Sequence, residues 1–562
     1  MDDLPESLNR LTTRLEVLER RVTALEHPVE DSNALPALES SSLDTVEDRP
    51  FVLAGGAFPV FGKAMLGIAG AYLLRAVAES TSLPKLSLAA IAIAYAMVWL
   101  VWATRTAAGA WLASTIYACT SALILAPMLW ELTLRFDVIS AGMSAGVLCI
   151  FACAAAALAW KRNLTSVFWV ANVTAAVVAV ALSIATHQLL PFIATLLAMV
   201  LVSEYAAERG RGLGIRFLVA AAADLAIWVL VFIYASPQST RGDYPLLGMA
   251  VLLMPGFSLF AICGMSVSLK TMVFHRQITA FETIQTMIAF GLAAASLLYF
   301  GPQSSTIWLG AFCVAFSAAG YFAAFALFDC LDERRNYRVF STWSALLLLS
   351  GSLLCLPPVW SSGSLGVVAV GATLLGARLN RKSLQFHGLA FLLTAAAVSG
   401  LLNYAFLVMV GTLPAAPSTS ICVVSTCAIL SYAVGEFCLG EDWKQQLLHT
   451  VVAVVAVAGA AALVVHGLMG LIALSVNPGA HHLAFIRTLT ICLAALALAF
   501  SGAHWRRMEL TRIGYATLVL VAAKLVFEDL RHGHLEFIAA SIFLFAVTLI
   551  AVPRIARMGQ RI

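Results

Sequence analysis

The sequence predicts an all-α protein: a polytopic transmembrane helix bundle of about 18 spans, with both termini cytoplasmic and a short N-terminal coiled-coil helix. Of its 562 residues, 61% are hydrophobic and only 11% are charged, and its mean hydropathy is +0.91. That composition lies far outside the range of soluble domains. Apolar runs of about twenty residues, the length that a bilayer core requires, recur along the chain. A heptad pattern precedes them.

The first element is a helix with an apolar seam, in residues 1–28. Apolar residues recur there at alternating steps of four and three, the a and d positions of a coiled coil. They are Leu4, Leu8, Leu11, Leu15, Leu18, Val22 and Leu25. Because a lone helix of this length is marginal in water, the seam predicts a homo-oligomer or a cytosolic partner. A frayed tail on the membrane surface is the alternative.

Residues 29–50 are predicted to be a disordered acidic linker, since Pro, Ser and acidic residues dominate and no apolar period survives. Residues 1–50 hold 12 Asp and Glu against 5 Lys and Arg, so the net charge of +4 hides a basic membrane part. The sequence has no clustered stripe of basic residues, so nucleic acid is not predicted as a partner. The expected surroundings are the lipid bilayer.

Residues 51–558 are predicted to be one multi-span membrane domain. Its apolar segments are long enough to cross a bilayer as helices. They lie at 57–77, 86–103, 109–130, 138–160, 164–185, 188–206, 214–235, 246–267, 280–300, 307–328, 339–357, 363–379, 385–410, 418–437, 447–472, 484–503, 511–529 and 534–554.

The distribution of basic residues predicts the orientation of these spans, because Lys and Arg are retained on the cytoplasmic side of short loops. With the amino terminus inside, the even-numbered loops and the carboxyl tail hold 21 Lys and Arg. The odd-numbered loops hold only five, which are Lys85, Arg135, Arg241, Arg487 and Arg531. This asymmetry predicts that both ends of the chain are cytoplasmic.

Ionisable residues inside apolar spans are the candidate functional residues, since a charge in the bilayer core costs at least a few kcal/mol. The candidates are Lys63, Asp224, His466, Lys524, Glu528 and Asp529. They suit a substrate, ion or proton role, or else structural pairs between helices. For Lys524 we expect a carboxylate or helix-end carbonyls as partner. Glu528, one turn onward, and Asp224, from another helix, are the alternatives. Nearer the helix ends, Glu204 and Glu528 are expected to reach water.

Histidines form a weaker candidate site. His481, His482, His532 and His534 lie in two loops predicted on the outer face, and two such loops meeting would suit zinc. The spacing does not require a metal, and no cofactor is predicted. The 11 cysteines are scattered through apolar segments without CxxC spacing and are interpreted as small buried hydrophobic residues.

Several short motifs carry a family resemblance. The span LTRIGYATLVLVAAKLVFEDL contains Lys524, Leu525, Asp529 and Leu530 in a Lys-Leu-x-x-x-Asp-Leu pattern. Together with a heptad helix ending in RVTALE and a first span reading FGKAMLGIAGAYLLRAVAES, it resembles bacterial membrane proteins of the domain of unknown function 2339 family. The resemblance implies a multi-pass protein of the bacterial cytoplasmic (inner) membrane and no particular chemistry. Where that family usually has an aromatic-Arg pair, this chain has RHGHLEF.

Three functions fit these observations. Many spans with kinking prolines and sparse buried charges favour an envelope-associated transporter or flippase-like protein. The heptad helix and the short loops favour a membrane scaffold. The third is a membrane-embedded enzyme acting on lipid-linked envelope substrates. Common motifs of soluble enzymes, such as GxxxxGK[ST] and HExxH, are absent from the sequence.

The orientation is testable with reporter fusions. A reporter placed after residue 240 is expected to be active only outside the cytoplasm, and one placed after residue 380 only inside, because these loops fall on opposite sides of the charge pattern. Alkaline phosphatase and green fluorescent protein activities measure the two states. The reverse result would overturn the orientation.

Overall fold

The structure, a computed structural model, describes residues 49–80, 85–105, 111–162, 164–209, 214–237, 242–328, 334–410, 416–435, 443–474, 479–529 and 535–561. The predicted coiled-coil helix with its seven seam residues, and nearly all of the acidic linker, lie outside these residues. The chain divides into two units after Gly62. The described part of the first unit is helical.

The described chain is all helical. The helices are α1 (Arg49–Ser80), α2 (Lys85–Arg105), α3 (Trp111–Trp130), α4 (Ala141–Arg162), α5 (Thr165–Ala185), α6 (Leu189–Glu208), α7 (Arg216–Ala235), α8 (Met249–Ser268), α9 (Ala280–Phe300), α10 (Ser305–Phe322), α11 (Arg334–Cys355), α12 (Pro358–Arg378), α13 (Lys382–Val398), α14 (Leu401–Val410), α15 (Thr419–Val434), α16 (Trp443–Ala473), α17 (Ala480–His504), α18 (Met508–Lys524) and α19 (Leu535–Arg561).

Among the described residues, four helices widen into a π turn at their carboxyl end. The π segments are Glu131–Arg135 after α3, Leu269–Val273 after α8, Ala323–Phe328 after α10 and Leu525–Asp529 after α18. In a π turn, each backbone N–H bonds to the carbonyl five residues earlier, one residue further than in an α-helix.

Length and surface both mark these helices as membrane-spanning. Among the described residues, 14 helices are long and apolar enough to cross a bilayer, or up to 15 if one bent pair counts as a span. A helix of twenty residues is about 30 Å long, the thickness of the hydrocarbon core. Large apolar side chains face outward, for example Trp308 (73% exposed) and Phe543 (72% exposed). Such a surface suits lipid and not water.

Each of the 18 predicted apolar segments contains a helix, so the positions of the segments are confirmed. The count of 18 membrane crossings stays a prediction, because the apolar stretches Pro59–Leu73 of α1, Ala89–Arg105 of α2 and Thr419–Val434 of α15 are only 10–17 residues long. One predicted span is not a single straight helix. Residues 385–410 form two helices, α13 and α14, bent by 61° at their junction.

Neighbouring helices pack as hairpins through small residues. The strongest pairs join α12 with α13, α10 with α11, and α17 with both α18 and α19. Between α10 and α11, a methyl group on Gly310 would lie 2.9 Å from the backbone nitrogen of Cys355. One on Gly351 would lie 3.0 Å from the nitrogen of Val314. Glycine therefore sets the distance between these two helices, as expected where apolar lipid supplies no hydrophobic drive.

The break between α13 and α14 is built on Gly400. This residue has φ +75°, in the left-handed region, and it directly follows the turn residue Ser399. An L-residue with a side chain pays about 1–2 kcal/mol to adopt that conformation, whereas glycine adopts it freely. After the break, α14 has only 10 residues, which is half of a span.

Replacing Gly400 with Ala is therefore expected to destabilise the protein by about 1–2 kcal/mol, measured by thermal unfolding in detergent. The matched control is Gly371→Ala in α12. A methyl group meets nothing within 4 Å at either position, so the two variants differ in backbone conformation alone. Gly371→Ala should be neutral or slightly stabilising, since Ala is the better helix former. Equal effects would refute the role of Gly400.

Candidate functional site: a buried ion cluster at a broken helix

The candidate site lies where the short helix α14 meets α17 and the π turn after α18. The last carbonyls of any helix have no partner within the helix and carry partial negative charge. In α14 these carbonyls belong to a helix that ends after half a span. A partner from another helix must therefore satisfy them.

Arg487 of α17 is that partner. Its side chain is only 2% exposed, and it is the largest fully buried side chain described. Nε donates to the carbonyl of Val408 at 2.5 Å, and Nη2 donates to that of Leu407 at 3.4 Å. Nη1 donates to Oε1 of Glu528 at 2.5 Å. One guanidinium thus joins the end of the broken helix to the π turn after α18, using the fork of donors that Lys lacks.

Lys524 lies beside this contact and is also buried. Its ammonium donates to Oδ1 of Asp529 at 2.5 Å, to the carbonyl of Ala484 at 2.7 Å and to the hydroxyl of Thr488 at 2.8 Å. Oε2 of Glu528 lies 3.4 Å away. The hydroxyl of Thr488 donates to the second oxygen of Asp529 at 2.8 Å. The expectation that Lys524 has carboxylate and carbonyl partners agrees with these contacts.

The π turn explains why Asp529 is the closer carboxylate. In an α-helix, residues five apart point about 140° away from each other around the axis. The π turn at Leu525–Asp529 adds a residue to the turn and brings Asp529 round toward Lys524. Regular α-helical spacing, which places residues i and i+4 on one face, predicts only Glu528 on the face of Lys524. Four residues form what we call the ion cluster: Arg487, Lys524, Glu528 and Asp529.

The ion cluster is electrically balanced, with two cations and two carboxylates. Asp529 is 2% exposed and Glu528 is half-buried. In a low-dielectric interior, opposite charges at these distances stabilise each other, and an unpaired charge is strongly unfavourable. The cluster therefore tolerates the arrival or loss of a charge only if another contact changes.

The other predicted residues lie elsewhere. Asp224 of α7 accepts two hydrogen bonds from Nε2 of Gln285, at 2.9 Å and 3.0 Å, and it is not among the contacts of Lys524. The alternative that paired Asp224 with Lys524 is wrong. Lys63 is exposed on α1. His466 is partly buried, its ring centroid is 6.3 Å from that of Tyr404, and its Nδ1 has no hydrogen-bond partner among the described residues.

The described residues give no geometric support to a zinc site at the candidate histidines. The rings of His481 and His482 lie 4.1 Å apart, and Nδ1 of His482 accepts a hydrogen bond from the backbone of Gly479. His532 and His534 fall outside the described residues. Within the described part of the chain, no three His, Cys, Asp or Glu side chains are grouped so as to hold a metal ion.

A second buried network joins α6, α7, α8 and α9, and sequence reasoning missed it. Arg216 bridges two carboxylates: it makes a bidentate pair with Glu204 and donates to Glu282 at 3.2 Å. Lys270 donates to both oxygens of Glu282, at 2.6 Å and 2.8 Å. The hydroxyl of Ser266 donates to Glu204 at 2.7 Å. Glu204 was expected to reach water from a helix end but is buried here.

Sequence signals for these groups exist but are weak. Arg487 is one of only five basic residues in the predicted outer loops, and it lies seven residues inside its helix. Thr279 and Glu282 match the capping-box motif at the start of α9, and both hydrogen bonds of the capping box are present in the structure. That motif predicts where the helix begins. It does not predict that Glu282 also receives Arg216 and Lys270.

These features define a polytopic α-helical membrane protein with charged networks buried between its helices. Comparison of the chain with protein-family models, with curated proteins and with solved structures gives no match. Its function is therefore argued from its own geometry.

A double-mutant cycle tests the ion cluster. Lys524→Met and Asp529→Asn each strand a buried charge and are expected to cost about 3–5 kcal/mol, while the double variant should cost clearly less than their sum. Thermal unfolding in detergent measures all three. The matched control cycle pairs Lys524→Met with Asp224→Asn, whose losses should add. Additive losses for Lys524 and Asp529 would contradict the contact.

Proposed function

We propose that the protein is a transporter or flippase-like protein of the bacterial cytoplasmic membrane, and that the ion cluster controls the position of the half-helix α14. The observation that supports this most is the contact of buried Arg487 with the terminal carbonyls of α14 and with Glu528. Discontinuous helices whose ends meet charges inside the bundle are how many transporters build substrate and coupling sites.

The mechanism follows from the balance of charges. In the described state, Arg487 holds α14 through two carbonyls, and Gly400, with φ +75°, forms the turn at the other end of that helix. An anionic substrate group at Arg487 competes with Glu528 for the guanidinium. Arg487 is then free to exchange partners, and α14 is released to pivot at Gly400. Such a two-state element is what alternating access requires.

The predicted orientation assigns the ion cluster to one side of the membrane. With the amino terminus inside, α17 begins and the π turn after α18 ends at the outer face, so the ion cluster lies in the outer half of the membrane. The second network, around Glu204 and Glu282, lies by the same rule at the cytoplasmic face. The two buried charged networks would then serve opposite ends of the bundle.

A scaffold role is the second candidate, and the heptad pattern favours it. Seven apolar residues at a and d spacing, with charged flanks, suit pairing with a second copy or a cytosolic partner. The resemblance to the domain of unknown function 2339 family is compatible with either role.

Reconstitution tests transport. The purified full-length chain is placed in phospholipid vesicles, and two fluxes are measured: movement of a headgroup-labelled fluorescent phospholipid, read by quenching with dithionite, and proton uptake, read by an internal pH dye. Wild-type vesicles are expected to exceed empty ones in at least one flux. Equal rates in both assays, with folded protein present, would contradict transport and leave the scaffold.

The variants connect any flux to the ion cluster. Arg487→Met is expected to slow it at least about tenfold, since breaking a buried pair costs about 3–5 kcal/mol and 1.36 kcal/mol is a factor of ten. The matched control is Arg512→Met in α18, where the arginine is exposed. Flux should stay at the wild-type rate there. A normal rate in Arg487→Met would separate transport from this site.

A further inference from the structure

A cavity of about 370 Å³ lies between α8, α9, α10 and α11, apart from the ion cluster. Its volume falls within the range of about 300–1,000 Å³ typical of ligand pockets. The wall is mainly apolar and includes Phe260, Met265, Phe316, Ala319 and Leu347. Water has few partners on such a wall, whereas a hydrocarbon chain fits it.

The cavity opens toward the lipid-facing surface and runs along the helices. Met265 and Phe316 on its wall are 62% and 48% exposed. The α8 side of the wall extends from Phe260 to Met272. Twelve residues of helix rise about 18 Å. That length is close to half of the bilayer core, which is about 30 Å thick, so the cavity extends through roughly one leaflet.

One end of the cavity is polar. Glu282 lines it and receives the ammonium of Lys270 at 2.6 Å. The indole nitrogen of Trp343, on another wall, is buried and has no hydrogen-bond partner among the described residues. Buried indole N–H groups usually have an acceptor. An apolar slot with charged groups at one end and an unused donor on its wall matches the layout of a lipid.

We propose that this cavity binds one acyl chain of a membrane phospholipid. The chain enters from the leaflet that surrounds the turn between α8 and α9. Its methylenes lie against Phe260, Phe316 and Leu347, and an ester oxygen accepts the hydrogen bond of Trp343. The lipid phosphate lies toward Lys270, whose ammonium also contacts Glu282. The proposal concerns binding alone and holds whether or not the protein transports.

Graded filling of the cavity tests the proposal. Gly264 lines it, and a Cβ atom added there meets nothing within 4 Å. Gly264→Ala and Gly264→Leu therefore place one and then several carbons in the space. Because the acyl chain leaves lipid and not water, the loss comes from excluded space and lost packing contacts, so lipid binding should fall stepwise from wild type to Gly264→Ala to Gly264→Leu. The matched controls are Gly291→Ala and Gly291→Leu in α9, which have the same open surroundings away from the cavity.

The probe is a phosphatidylcholine with a diazirine in one acyl chain, present at a small fraction in nanodiscs that hold the full-length protein. After illumination, mass spectrometry measures label on residues 260–272, 316–323 and 339–347. We expect these segments to label above other lipid-facing helices in the wild type, to lose label stepwise in the Gly264 variants, and to keep it in the Gly291 variants. Gel filtration confirms that each variant is folded.

Two outcomes would overturn the proposal. One is equal label on the cavity segments in wild type and in folded Gly264→Leu. The other comes from a benzoylphenylalanine placed at Phe316, on the rim. An adduct of this residue with a second copy of the chain, in place of one with lipid, would make the cavity a protein interface.

Discussion

The structure depends on one constraint: a charge or an unpaired polar group inside an apolar bundle must find a partner within the protein. The cost of an unpaired charge there is several kcal/mol, and water is not at hand to reduce it. Arg487 shows how the constraint shapes the fold, because it serves two carbonyls and one carboxylate at the same time. This guanidinium donates to carbonyls in the last turn of the broken helix α14 and so satisfies its end.

The π turns are a second consequence of the same constraint. Of the four π segments in the described chain, three carry a residue of an ion pair. Glu131 pairs with Arg75 at 2.8 Å, Lys270 pairs with Glu282, and Glu528 and Asp529 receive Arg487 and Lys524. Widening a helix by one residue rotates a side chain that would otherwise point away. The helices thus deform locally so that a charge meets its partner.

Charged and apolar features are also divided among regions of the bundle. Where α14, α17 and the π turn after α18 meet, four charged side chains and their hydrogen bonds lie within an otherwise apolar interior. Around α8 to α11 a charged network borders an apolar space that is open to lipid. The first arrangement suits a two-state element, since ionic contacts exchange partners. The second suits a resident or passing lipid, since apolar walls hold a chain without fixing its register.

The sequence by itself determined the class of the protein and the position of nearly every helix, because twenty apolar residues in a row have few other stable arrangements in lipid. It also singled out Lys524, Glu528 and Asp529, since charges inside such runs stand out. Only the tertiary structure decided the partners. Arg487 and Glu528 are 41 residues apart in the chain, and Arg216 and Glu282 are 66 apart. Pairing at such separations depends on which helices pack together, and apolar helices resemble one another too closely for their sequences to specify it. The break at Gly400 was hidden for a related reason: glycine is common in membrane helices, and only its backbone angle shows that this one ends a helix.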